Sequence, residues 1–144
     1  MNMFKRWLTE RRLKAAVGEI NSLAMDLFLE TLLRLMRFVF ILDRGFRRNI
    51  EGFDGRYAFM SRDGNIAASA IFEDNRMRVK NKVVDQADIT VVFKDGKALR
   101  HFLFSEHPDI IAAILDNEIS YTGNLNYLAK FAYMAKHLQL RFAM

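Results

Sequence analysis

The stretch Ile119-Ser120-Tyr121-Thr122-Gly123-Asn124-Leu125-Asn126-Tyr127-Leu128-Ala129-Lys130-Phe131 decides the fold. Ile119–Thr122 reads as a short strand, and Gly123 ends it. Asn124 carries a side-chain oxygen able to cap a helix, and a very apolar helix follows over about 125–139. Along that helix Asn126, Lys130, Tyr133 and His137 fall at i, i+4, i+7 and i+11, which draws one polar edge. The remaining arc holds Leu125, Leu128, Phe131, Ala132, Met134, Ala135 and Leu138, more than a helix resting on one side of a core requires. Such a helix either sits fully inside the protein or forms one wall of an apolar cavity.

Upstream of the junction, two short helices are expected over about 97–104 and 108–116, with Pro108 suited to a first helical turn. Ile89–Phe93 reads as a strand closed by the turn Lys94-Asp95-Gly96-Lys97. Residues 76–82 alternate: Met77 and Val79 point one way, while Arg76, Arg78, Lys80 and Lys82 point the other, as in a sheet strand with one wet, basic face. Asp63–Gly64 between the runs 56–62 and 65–72 signals a hairpin. Four strands, two helices, a strand and a helix make an α+β layout with a mainly antiparallel sheet.

The first third differs. From Leu13 to Leu42 there is no proline, and good helix formers dominate. Arg12, Glu19, Asp26, Glu30, Arg34 and Arg37 draw a narrow polar stripe, with Glu30 and Arg34 at a favourable i,i+4 spacing. Gly18 and Asn21–Ser22 are expected to divide this region into two helices, and Gly45 to stop the second. The charge is concentrated here. Residues 1–48 hold 10 Lys/Arg and 5 Asp/Glu, whereas residues 49–144 hold 12 of each, so the front end carries the whole net charge of +5. A basic, apolar-rich segment suits an anionic membrane surface or a nucleic acid, and a solvated helical hairpin is the plainer alternative.

Several function classes fall away. Asp26, Glu30, Arg34 and Arg37 interrupt the apolar run, which fails as a membrane span. Lys5 and Arg6 lead into Glu10, Arg11 and Arg12 instead of an apolar core, unlike a secretory signal. A cytoplasmic protein with an amphipathic front end is the expectation. There is no cysteine, and His101, His107 and His137 have no metal-ligand spacing, so no metal is expected. No GxxxxGK[ST] or GxGxxG frame exists for a nucleotide cofactor, and no serine has a nucleophile-elbow context. No catalytic residue is nominated and no enzyme is expected. The 13 Phe against 4 Tyr and 1 Trp suit packing better than base stacking, and no RNP-type or recognition-helix pattern appears; nucleic acid is not an expected partner.

From about residue 50 to 140, the strand Ile89–Phe93, its turn, the two short helices and the Ile119–Leu125 junction resemble, in that order, the sterol carrier protein 2 (SCP2) domain family. The resemblance implies an SCP2-like five-stranded, mainly antiparallel sheet covered by helices, with a hydrophobic tunnel for lipids or fatty-acyl chains. By matching element, it places Phe102, Leu103, Ile110, Ile111, Ile114, Leu125, Leu128, Phe131 and Met134 as tunnel walls. It implies a domain at 49–144 preceded by a basic amphipathic helical extension at 1–48, which the minimal domain lacks. That extension would cover the tunnel mouth, form a homodimer or dock on a membrane; Lys5, Arg6, Trp7, Arg11, Arg12 and Lys14 are the candidate membrane contacts. Some bacterial SCP2-like proteins that assist ubiquinone biosynthesis are similar, which makes an isoprenoid ligand or a biosynthetic enzyme the further candidate partners.

Overall fold

A computed structural model describes the backbone over residues 3–104 and 109–142, and side chains over 22–104 and 109–140. The order is helix α1 (Met3–Leu42), the short α2 (Arg44–Arg47), a 3-10 turn (Arg48–Ile50), strands β1 (Gly55–Ser61), β2 (Ala67–Glu73), β3 (Arg76–Lys80) and β4 (Ile89–Phe93). Helices α3 (Gly96–Phe104) and α4 (Ile110–Leu115), strand β5 (Ile119–Gly123) and helix α5 (Leu125–Phe142) follow. The five strands form one sheet in the order β3-β2-β1-β4-β5. β1 and β4 pair in parallel, and the other three pairings are antiparallel. This is the expected α+β, mainly antiparallel architecture.

Strand alternation explains which face is covered. Tyr57, Phe59, Phe72, Met77, Ile89, Val91, Phe93 and Ile119 share a single buried cluster with side chains of α1, α3 and α5. On the opposite face Ala58, Ser69 and Ile71 are also buried. Ser69 draws the 81–88 segment toward that face: its hydroxyl donates to the Lys82 carbonyl (2.6 Å) and accepts from the Val84 amide (3.0 Å). The same bonds explain why β3 stops at Lys80, two residues before the alternation in sequence does.

The C-terminal half of α1 is built into the core. Leu29, Leu32, Leu33, Met36, Val39 and Phe40 of α1 are all buried in the main cluster, as is Phe46 of α2. Instead of two helices, one continuous helix runs from Met3 to Leu42. A lone glycine costs a helix only about 1 kcal/mol, which packing along the rest of α1 offsets. Ser22, expected near a break, is instead 1% exposed and serves as an anchor. Its hydroxyl donates to Asp63 Oδ2 (2.8 Å) and accepts from the Gly96 amide (3.1 Å). One turn on, Asp26 Oδ1 accepts from the Ala67 amide at 3.0 Å. The helix stops before Gly45, because Asp43 adopts extended geometry and caps α2 by accepting from the Phe46 amide.

Asp63 explains a second departure. The Asp63–Gly64 pair lies inside a wider connection spanning 62–66, and the carboxylate takes bonds from Ser22, from Ser61 and from the Asn65 amide. The tight two-residue turn is instead Asp74–Asn75, both left-handed at φ 54° and 61°, between β2 and β3. At the junction that decides the fold, Gly123 has φ +115°, and a Cβ there would lie 2.1 Å from the Asp88 carbonyl oxygen. Glycine is therefore required, and Asn124 Oδ1 caps α5 at the Asn126 amide (2.9 Å).

Leu33→Ala is expected to cost about 2–5 kcal/mol, against less than about 0.5 kcal/mol for Leu27→Ala, whose side chain is 66% exposed. Denaturant titration of both variants distinguishes a core helix from an appendage. Burial pushes the Asp63 carboxyl up, but the hydrogen bonds from Ser61, Ser22 and Asn65 outweigh it and hold it below its ordinary value. Its contribution to stability is therefore complete above the ordinary aspartate range near pH ~4 and disappears as pH falls through the lower, folded value. Melting curves should show wild-type protein losing more stability than Asp63→Asn on acidification; equal losses would remove Asp63 as the acid-sensitive tie.

Candidate functional site

Packing changes at the β5 edge of the sheet, between α3 and α4. α3 presents Ala98, Leu99, Phe102 and Leu103 to the core. α4 buries no side chain fully, although Asp109 caps it by accepting from the Ala112 amide at 3.0 Å. α4 packs on the core only through half-buried side chains such as Ile110 and Ala113, and the space between α3, α4 and β5 is a half-open cleft of about 590 Å³. That volume falls within the ~300–1,000 Å³ typical of small-molecule sites.

The cleft divides chemically. Ala98, Phe102, Phe104, Ala112, Ala113 and Ile119 supply apolar walls, and the small alanines account for much of the space. Arg100, His101, Asp109, Asp116 and Glu118 supply polar groups. His101 Nδ1 and Glu118 Oε1 lie 3.4 Å apart at solvent-accessible positions. Phe104 also packs against Phe28 of α1, with ring centroids 5.2 Å apart, so the cleft adjoins the front-end helix. This arrangement can bury an alkyl chain while polar groups stay near water. Among the described residues, no group of three or more His, Asp or Glu is placed to hold a metal ion.

The nine residues expected to wall a tunnel are dispersed. Phe102 lines the cleft. Leu103, Leu128, Phe131 and Met134 are buried in the main core, where Phe131 meets the rings of Phe59 (4.8 Å) and Tyr57 (5.8 Å). Ile110 and Leu125 pack on the margin of that core. On α4, Ile114 is half-buried, and Ile111 is 58% exposed. The residues missed by sequence reading are the alanines, Phe104, Ile119 and the polar groups of the cleft, whose role depends on how α3, α4 and β5 come together and has no periodic signal.

Under α5 the structure fixes a different polar contact. The Tyr57 hydroxyl donates to the Tyr127 carbonyl at 2.7 Å, and burial, followed by Tyr127 and Asp88, raises its pKa well above the ordinary tyrosine value. The group stays neutral and structural. Gln139 of α5 likewise donates to the Leu103 carbonyl of α3 at 2.9 Å, joining the two helices beside the cleft. Side chains of Lys5, Arg6, Trp7, Arg11, Arg12 and Lys14, along with His107 and Pro108, lie outside the described residues. No helix among the described residues is long and apolar enough to cross a membrane.

This fold is that of SCP2 domains. A "UbiJ-SCP2 Ubiquinone synthesis protein" superposes with TM-score 0.59 at 15% identity, covering 80% of this chain and 91% of that one. Sterol carrier protein 2 from Yarrowia lipolytica, in its apo form, gives 0.57 at 12% identity, covering 75% and 87%. The sec-alkylsulfatase Pisa1 from Pseudomonas sp. gives 0.53 at 16% identity, but the matched part is 61% of this chain and only 14% of that enzyme. No protein-family profile and no curated protein sequence matches the chain.

α4 is held at its start by the Asp109 cap. Asp109→Ala is expected to cost about 1 kcal/mol, the usual loss for a helix N-cap. Amide hydrogen exchange should show faster exchange confined to α4, with β1 and β4 unchanged.

Proposed function

We propose that this protein binds and presents a lipid, fatty-acyl or isoprenoid chain without chemically transforming it. The supporting observation is the cleft between α3, α4 and β5, with Phe102, Ile119 and three alanines against its apolar part and charged groups beside them. Transfer of a chain from water into such walls gains about 0.8 kcal/mol per buried CH₂, so the tail would dominate affinity. Arg100, His101 or Glu118 would then read the polar head. Ile110, Ile111 and Ile114 of α4 and Leu103, Leu125, Leu128, Phe131 and Met134 behind it form the apolar surroundings into which a longer chain would extend.

In this reading the first half of α1 carries the protein to an anionic membrane from the cytoplasmic side. Lys5, Arg6, Arg11, Arg12 and Lys14 supply the charge and Trp7 the interfacial ring. A second reading is an accessory protein for lipid or quinone biosynthesis enzymes, with a homodimer or an enzyme as partner. It is supported by the likeness in fold to the ubiquinone synthesis protein.

Native mass spectrometry of the purified full chain tests ligand binding. A co-purifying lipid, or saturable uptake of an acyl or prenyl probe, is expected. Ala112→Phe should fill the cleft and reduce uptake about tenfold or more with the melting temperature preserved; a protein that takes up no probe is not a lipid carrier. Replacing the five front-end Lys and Arg residues by Gln should abolish flotation with anionic vesicles, and unchanged flotation would remove the membrane role of that segment.

A further inference from the structure

A second cleft, of about 670 Å³, lies at the opposite edge of the sheet, between the C-terminal end of α1 and the β2–β3 turn. Four of its nine lining residues are arginines: Arg37, Arg47, Arg76 and Arg78, with Asp74 the only carboxylate among the nine. Two of them are held by main-chain oxygens. Arg37 Nε donates to the Met77 carbonyl at 3.1 Å, and Arg47 Nη1 donates to the Ile41 carbonyl at 3.2 Å, satisfying an orphan carbonyl of the last turn of α1. A carbonyl orients a guanidinium without neutralising it, and one such bond leaves four of its five N–H donors for other partners. Arg78 is paired with Glu73 at 2.6 Å. Arg76 has neither an ion pair nor a side-chain hydrogen bond with any described residue.

The opposing wall is fixed as well. Asp74 and Asn75 form a two-residue left-handed turn, and Asn75 Oδ1 accepts from the Gly52 amide at 2.9 Å, which ties the turn to the segment leading into β1. Phe40, Ile41 and Met77 supply apolar surface within the same cleft. Arg37 and Arg47, each oriented by a carbonyl and without a carboxylate partner among the described residues, and Arg76 on the same cleft leave N–H donors suited to an oxyanion, which arginine recognises with parallel N–H···O bonds.

We propose that this cleft binds a phosphate-type oxyanion, carried on an amphiphile whose apolar part rests against Phe40, Ile41 and Met77. The site is distinct from the α3–α4–β5 cleft and does not depend on the lipid-carrier reading. Its charge comes from both parts of the chain, two arginines from the basic front end and two from β3.

The test is a titration of the isotope-labelled full chain, following the arginine Nε–Hε resonances, with inorganic phosphate in one series and a short-chain phosphatidic acid below its micelle concentration in another. Saturable shifts at Arg37 and Arg47 are expected. Arg76→Gln should weaken binding about tenfold, while Lys97→Gln, an equal change of charge at an exposed position outside the cleft, should leave it within about twofold. Arg76→Lys should recover only part of the loss, since an ammonium cannot bind in a fork. Tighter binding of phosphatidic acid than of phosphate identifies an amphiphile; equal affinity identifies a free phosphate group at the same oxyanion site. Absence of saturable shifts with both probes, or an equal loss in Lys97→Gln, overturns the proposal. Melting curves of each variant separate loss of binding from loss of fold.

Discussion

The structure depends on covering the aromatic face of the sheet. Tyr57 and Phe59 of β1 and Phe93 of β4, in the centre of the sheet, are fully buried, and each loses its burial if the helical layer is removed. At about 1.5–3 kcal/mol per buried large apolar side chain, this face outweighs any single polar contact in the molecule. α5 covers it through Leu128, Phe131 and Met134, and α1 through Leu29, Leu32, Leu33 and Met36. Apolar contacts alone would let a long helix slide. The bonds from Ser22 to Asp63 and Gly96, from Asp26 to Ala67, and from Arg37 to Met77 set the position of α1 along the sheet.

That division of labour explains what could be read from the sequence. Ile89–Phe93 and the Gly123–Asn124 junction carry local signals, alternation, a turn and a cap, and the structure places them where those signals do. The continuity of α1 was not legible, because Gly18 and Ser22 look like breakers and the bonds that turn Ser22 into an anchor come from residues 63 and 96. Asp63–Gly64 has the composition of a tight turn, yet the serines on either side of its carboxylate in space widen the connection. The two-residue turn went instead to Asp74–Asn75, where left-handed geometry falls on two residues that tolerate it.

The candidate site was less legible than the fold for a physical reason. Apolar periodicity reports that a side chain leaves water; it does not distinguish a core from a cavity wall. Phe102 and Phe131 carry the same signal, but Phe131 meets two rings of β1 while Phe102 also borders open space. What separates them is the loose packing of α4, a short helix with no fully buried side chain and with Ala112 and Ala113 on the cleft. Small residues mark space by what they fail to fill, and a single sequence has no measure of that.

Charge shows the same limit from the other side. The count by segments placed the whole net excess in residues 1–48, and this pointed to the front end as a separate basic surface. In the fold, Arg37 and Arg47 from that segment line the same cleft as Arg76 and Arg78 from a remainder that is neutral on average. Net neutrality over 96 residues is compatible with strong local imbalance, because the compensating carboxylates lie elsewhere, several of them around the α3–α4–β5 cleft. The two edges of the sheet therefore differ in electrostatic character: arginines dominate at β3, and Asp109, Asp116 and Glu118 outnumber Arg100 beside β5. The field at any one place on the molecule is set by the distribution of charge and not by its sum.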